Sequence, residues 1–166
     1  ALINKNMSTL PREVSNYLDT FSAKYSVGDV LGYLRNARDL KVLVVGEAII
    51  DEYQYCDAIG KSSKEPTLAV KYRSSERFAG GALAVANHVA GFSDNVSLLT
   101  FLGNTNSQEE FVSGQLRANI DAKFLYRKDS PTIVKRRFVE NYFFTKLLEV
   151  YEMNDETLET DDDDQL

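Results

Sequence analysis

The chain has one cysteine, one histidine, three prolines and no tryptophan among its 166 residues. A single thiol, Cys56, excludes an internal disulfide framework and suits a reducing compartment. One histidine and one cysteine are also too few for an all-protein zinc centre, so no metal site is expected. No apolar run approaches the roughly 20 residues that a membrane-spanning helix needs. The amino-terminal stretch "ALINKNMSTLPREVSN" lacks a basic segment followed by an apolar core, so it does not read as a secretion signal. No lysine/arginine cluster alternates with aromatics, which argues against a nucleic-acid surface; "VKRRF" is the densest basic spot and reads as a solvated face. The expectation is a soluble, cytoplasmic protein with neither nucleic-acid nor membrane partners.

What the chain does have is material for a core. Hydrophobic residues make up 43% and aromatics 11%, enough for one packed domain or a large piece of one. The net charge of −6 is concentrated at the end: "DETLETDDDDQL" from Asp155 holds seven acids and no base, and without it the chain would stand at +1. Asp161 to Asp164 are typical helix N-cap and first-turn residues. They read either as the start of a helix that "QL" begins, in a chain cut inside a larger domain, or as a solvated acidic tail. The first residue, Ala1, fits a fragment or a processed chain.

Residues 8–22 carry Val14, Tyr17, Leu18 and Phe21 at helical spacing, with Ser8 or Thr9 as caps and Pro11 tolerated in a first turn. A second helix is expected over 27–38 on Val30, Leu31 and Leu34, weakened by Gly28 and Gly32. The texture then changes. "KVLVVG" (41–46) is a short β-branched apolar run ended by glycine, expected as a strand buried on both faces. Residues 51–60 and 67–74 alternate, as strands with one wet face do. Helices are expected over 81–91 and 107–118, and strands over 95–103, 122–127, 132–140 and 146–153. This order is α/β, with an early antiparallel excursion.

Two places carry candidate chemistry. In "RFAGGALAVANHVAGF" the pair Gly80 and Gly81 opens a helix, which is either a plain tight turn or a place where backbone amides approach a ligand. In "VLVVGEAIIDEYQY" the acid Asp51 follows a buried strand, where open α/β sheets bind ligands. Its acceptor-only oxygens suit sugar hydroxyls, although a turn or capping aspartate is the plainer alternative. A dinucleotide fingerprint is excluded, because only Gly46 of the required G-x-G-x-x-G is present.

Taken in order, "KVLVVGEAIIDEYQY", "EPTLAV", "RFAGGALAVANHVAGF", "NVSLLTFLG" and "PTIVKRRFVENYFFTKLLEVYEMND" resemble the N-terminal half of a ribokinase-like (PfkB) carbohydrate kinase. Within that family they are most similar to the kinase domain that phosphorylates heptose 7-phosphate on the way to ADP-heptose. The resemblance covers 41–155, leaving 1–40 as an N-terminal helical extension and 156–166 as the acidic end. It implies the N-terminal part of a mainly parallel sheet flanked by helices, with a small β lid over about 52–74 that closes on the sugar. Asp51 would hold sugar hydroxyls, and Gly80 and Gly81 would present amides to the sugar. Lys61, Lys64 and Arg137 would be candidates for a sugar phosphate, each with a plain reading as a surface charge.

The departures from the pattern bear on the substrate. The family has asparagine three residues after the second glycine; here that residue is Ala84, and Asn87 would have to substitute. An acid normally follows the strand-ending glycine, whereas Gly103 is followed by "NTNS". No "GAGD" loop, which would supply catalytic base and anion hole, occurs in the 166 residues, nor does an ATP-binding half. Catalytic and cofactor residues are therefore expected outside this chain. ATP and Mg would belong to a parent protein, the missing C-terminal half would be a partner, and the fragment alone would not turn over. A non-catalytic kinase-like module for assembly or sugar sensing is the alternative, with the ribbon's exposed edges pairing two copies into a homodimer. His88 reads as helix surface, Cys56 as a small apolar residue, and Tyr142, Phe143 and Phe144 as a hairpin cluster.

Overall fold

The structure, a computed structural model, describes residues 10–157. The caps expected at Ser8 and Thr9 and the helix start expected at Asp161–Asp164 lie outside the described residues. Helix α1 (Arg12–Lys24) starts after Pro11, and its first-turn Glu13 and last-turn Lys24 complement the helix dipole. Helix α2 (Val27–Asn36) opens on a capping box: the Asp29 amide donates to Ser26 Oγ at 3.1 Å, and the Ser26 amide donates to Asp29 Oδ2 at 2.8 Å. It stops short of the expected end, because residues 37–39 tighten into a 3-10 turn. The apolar stripe of α1 is exposed, and neither helix buries a residue. Ring contacts run from Phe21 to Tyr25 at 5.1 Å and from Tyr25 to Tyr33 at 6.4 Å, linking the two helices.

The remaining elements are β1 (Lys41–Lys61), β2 (Leu68–Gly81), α3 (Ala82–Val89), β3 (Asn95–Gly103), α4 (Glu109–Gln115), β4 (Ile120–Arg127), β5 (Ile133–Glu140) and β6 (Lys146–Glu152). The sheet order is β4-β3-β1-β5-β6, with β2 also on β1. β3 and β5 pair with β1 in parallel and β4 pairs with β3 in parallel, while β2 on β1 and β6 on β5 are antiparallel. Strand β1 changes neighbours along its length. Lys41 to Glu47 pair with β3; from Ala48 onward β2 takes that edge, while Ile49 to Cys56 pair with β5 on the other side. This is why the two separate strands expected over 41–46 and 51–60 are one strand. Gly46 is no break, since it pairs with Thr100 and the ladder continues on β2. For the same reason the second ribbon strand runs past residue 74 to the glycine pair.

The core lies on one face of this sheet. Val44, Ala48 and Ile50 of β1 and Val96, Leu98 and Leu102 of β3 pack against Leu83 and Ala86 of α3, with Val112 of α4 joining them. Small residues let α3 lie close: a Cβ on Gly46 would sit 3.3 Å from Ala82 Cβ. Leu83 is fully buried, a burial that contributes roughly 2 kcal/mol. The other face is open, and here the reading of 41–46 as doubly buried is corrected. Leu43 and Val45 are 63% and 55% exposed, because α3 covers one face and neither α1 nor α2 buries a residue.

Candidate functional site

Side chains alternate across a strand, so residues two apart share a face. Asp51 and Tyr53 therefore project from the open side of β1. Their paired neighbours are Phe78 on β2, Lys135 and Arg137 on β5, and through β5 Glu149 and Tyr151 on β6. The registers bring these seven residues onto one patch. Arg137 forms an ion pair through Nη1 with Asp51 Oδ1, and its Nε donates to Glu149 Oε1 at 3.2 Å. Its guanidinium lies 5.4 Å from the Tyr53 ring centroid, and Tyr53 meets Phe78 edge-on at 5.8 Å.

Glu149 is the hub on β6. It accepts from the Tyr151 hydroxyl and pairs with Lys146 Nζ at 3.1 Å. Those two bonds hold its carboxyl down to about 2, against an ordinary 4.5. The same bond raises the Tyr151 phenol, which stays protonated. Lys135 Nζ sits over the Tyr151 ring at 5.4 Å.

The glycine pair closes the patch. A Cβ on Gly80 would lie 2.2 Å from Asp51 Oδ2, so the absent side chain is what gives the carboxylate its place. Gly81 has φ +55° as it turns the chain into α3, and a Cβ there would meet Glu47 O at 2.6 Å. No side chain caps the start of α3.

The structure thus brings Asp51, Gly80, Gly81 and Arg137 together. It does not bring Lys61, Lys64 or Asn87 to them. Lys61 ends β1 at the far end of the ribbon, ten strand residues or on the order of 30 Å from Asp51, and Lys64 is exposed in the turn beyond. Asn87, offered as a substitute sugar contact, corrects that expectation. Its Nδ2 donates to Gln115 O at 2.9 Å and its Oδ1 accepts from the Arg117 amide at 3.0 Å, so it pins the end of α4. Lys135, Tyr53, Glu149 and Tyr151 were missed. The i, i+2 spacing of Lys135 and Arg137 was the available signal.

On the opposite face Glu52 is buried and accepts from Arg136 Nε at 2.6 Å and from Gln54 Nε2 at 2.5 Å, with Arg77 Nε at 3.8 Å. Burial pushes this carboxyl up, but the hydrogen bonds of Arg136 and Gln54 and the two positive charges outweigh it, leaving it below its ordinary value. Arg77 reaches Gln108 Oε1 at 2.6 Å and stacks on Phe111 at 4.3 Å. The "GNTNS" turn is fixed by Thr132, whose Oγ1 accepts from the Gly103 amide at 2.9 Å and donates to Ser107 O at 2.6 Å. Two larger concavities, about 510 Å³ at the amino ends of β1 and β3 and about 730 Å³ beside Arg77 and the turn, do not include Asp51. Cys56 is buried and burial raises its thiol; His88 is exposed on α3. Tyr142, Phe143 and Phe144 are exposed at the β5–β6 turn, with only Phe144 reaching Tyr55, at 6.4 Å.

No protein-family model matches the chain. Among solved structures it is similar to ribokinase from Giardia lamblia (TM-score 0.52, 15% identity, 76% of this chain and 40% of that one). It is similar also to phosphofructokinase-2 from Escherichia coli in complex with fructose-6-phosphate (TM-score 0.54, 15% identity, 76% and 39%). The fold is therefore ribokinase-like, in partial form. The sequence relatives are more particular. The bifunctional protein HldE of Haemophilus influenzae (strain PittEE) is 27% identical over 110 residues, which is 66% of this chain and 23% of that protein. HldE of Pseudomonas syringae pv. tomato is 32% identical over 101 residues, 61% of this chain and 21% of that protein. The matched part of the chain spans between a fifth and a quarter of the length of these relatives.

Proposed function

We propose that the chain is the sugar-binding and lid portion of an ATP-dependent carbohydrate kinase that phosphorylates a hydroxyl of a sugar phosphate of the heptose type. The observation that carries this reading is the Asp51 carboxylate, held by Arg137 and leaning over Gly80 at the start of α3. Arg137 occupies Oδ1, which leaves Oδ2 to accept a hydroxyl. The uncapped start of α3 offers main-chain amides beside it. Lys135, on the same patch, supplies positive charge for a phosphate. The β1–β2 ribbon beyond Glu52 is the part that would close over the ligand and exclude water.

ATP, Mg and the catalytic base belong, in this reading, to polypeptide outside the 166 residues, and the cytoplasm is where that protein works. Among the described residues no three His, Cys, Asp or Glu side chains are grouped to hold a metal ion.

Calorimetric titration of the chain with a heptose 7-phosphate and with fructose 6-phosphate tests the reading. Binding that Asp51→Asn weakens about tenfold or more supports it. A second reading, a kinase-like module without sugar chemistry, is favoured by Ala84 and by the engaged amide of Asn87. Absence of binding to either sugar phosphate, with Asp51→Asn indifferent, selects that module.

A further inference from the structure

We propose that Glu149 is a positioning residue that sets the Arg137 guanidinium, and through it the Asp51 carboxylate, for a ligand hydroxyl. The inference rests on the sugar-binding reading of the Asp51 patch. Arg137 lies between two acids on different strands, Asp51 on β1 and Glu149 on β6, and each takes a different nitrogen of the fork. A guanidinium is planar and its donors are fixed relative to one another. Holding Nε at Glu149 therefore fixes the direction in which Nη1 points, which is at Asp51 Oδ1. Held at Nη1 alone, the fork could pivot, and Asp51 would lose its defined lean over Gly80.

Glu149 is itself restrained. Lys146 Nζ at 3.1 Å shares Oε1 with Arg137, and the Tyr151 hydroxyl takes Oε2. Both carboxylate oxygens are thus engaged on the side of β6 that faces Arg137. The Tyr53 ring below the guanidinium limits its movement out of plane. Glu149 reaches the ligand only through Arg137, so it sharpens affinity and makes no contact of its own.

The experiment compares the whole chain with Glu149→Ala, Glu149→Gln and a control, Leu148→Ala, which lies on the same strand facing the other way. Two readouts are taken: the Arg137 Nε–H resonance with its solvent-exchange protection, by NMR, and affinity for a heptose 7-phosphate. The expected result is that Glu149→Ala removes the protection and weakens binding about tenfold, with Glu149→Gln between it and wild type and Leu148→Ala unchanged. Should Glu149→Ala fail to fold, Glu149→Gln is judged by the same two readouts. An Arg137 signal indifferent to both substitutions overturns the proposal. So does a lost signal with unchanged affinity, since the bond would then be merely structural. A wild-type chain that binds no sugar phosphate while its Arg137 signal responds to Glu149→Ala refutes the sugar reading and leaves the positioning bond standing.

Discussion

Asp51 and Glu52 are neighbours in the chain whose carboxylates lie on opposite faces of β1, each answered by a different member of the adjacent pair Arg136 and Arg137. The two-residue period of a strand makes this unavoidable, because β1 and β5 run parallel with Asp51 opposite Lys135 and Glu52 opposite Arg136. One acid faces the core and helps hold the ribbon to the turn after β3. The other faces the open side beside the glycine pair. The two ion pairs therefore place a structural contact and the proposed binding contact on opposite faces within four residues.

Arg137→Lys tests the binding side. A lysine ammonium is a point charge and cannot serve Asp51 and Glu149 through a fixed fork. The expected outcome is a loss of sugar-phosphate affinity of about tenfold, with thermal stability within about 1 kcal/mol of wild type, by calorimetry and thermal unfolding. A variant that binds as tightly as wild type would show that charge alone suffices.

The two glycines respond differently to alanine. At Gly80 the added Cβ meets the end of a side chain, so Asp51 swings aside and the cost falls on binding, again about tenfold, with little loss of stability. At Gly81 the added Cβ meets a backbone oxygen at a positive φ, so the cost falls on the fold, about 1–3 kcal/mol. Paired urea denaturation and ligand titration of both variants would separate these outcomes.

Acid acts on the fold through lowered carboxyls. Glu52 and Glu149 both titrate below their ordinary value in the folded chain, Glu149 at about 2. A group whose folded value is depressed contributes fully above its unfolded value and loses that contribution as pH falls through the folded one. Stability is therefore expected to hold above about pH 4.5 and to decline toward pH 2. Glu52→Gln removes part of that slope and costs about 2 kcal/mol at neutral pH, less than a fully buried pair because Arg136 keeps some solvent. Chemical denaturation across pH 3–7 reads both.

Thr132→Val removes one hydroxyl that serves two partners. The Gly103 amide and the Ser107 carbonyl would each lose a bond at a buried site, at a cost of about 1–3 kcal/mol. Thr132→Ser keeps the hydroxyl and is expected to fall within about 1 kcal/mol of wild type. Equal losses from both would mean that the methyl group matters more than the bonds.

Much of this was legible in the residues. The apolar runs at 41–46 and 95–103 identified the central parallel pair, because β-branched residues bounded by glycine have few other uses. The glycine pair and Asp51 stood out as residue types with narrow purposes. What could not be read was reach. Lys61 and Lys64 look close to Asp51 in sequence but lie far along an extended strand, whereas Arg137 and Glu149 are distant in sequence and adjacent by register. Asn87 has the right chemistry on the right helix, but its neighbours across the packing decide its partner, and those come from α4 and the segment after it. The open face was hidden too, since "KVLVVG" is apolar throughout and says nothing of whether a second layer covers it.

The unbroken run of β1 through 21 residues has a consequence for how this chain tolerates change in length. A deletion or insertion of one residue between Glu47 and Ile50 would have no loop to absorb it, and the rest of β1 would turn to the opposite face. The acid meant for the interior would be turned outward and its neighbour inward, with both arginines now opposite the wrong partner. Gene variants that lengthen or shorten this strand by one codon should thus be far rarer than variants that trim the turn at 62–67.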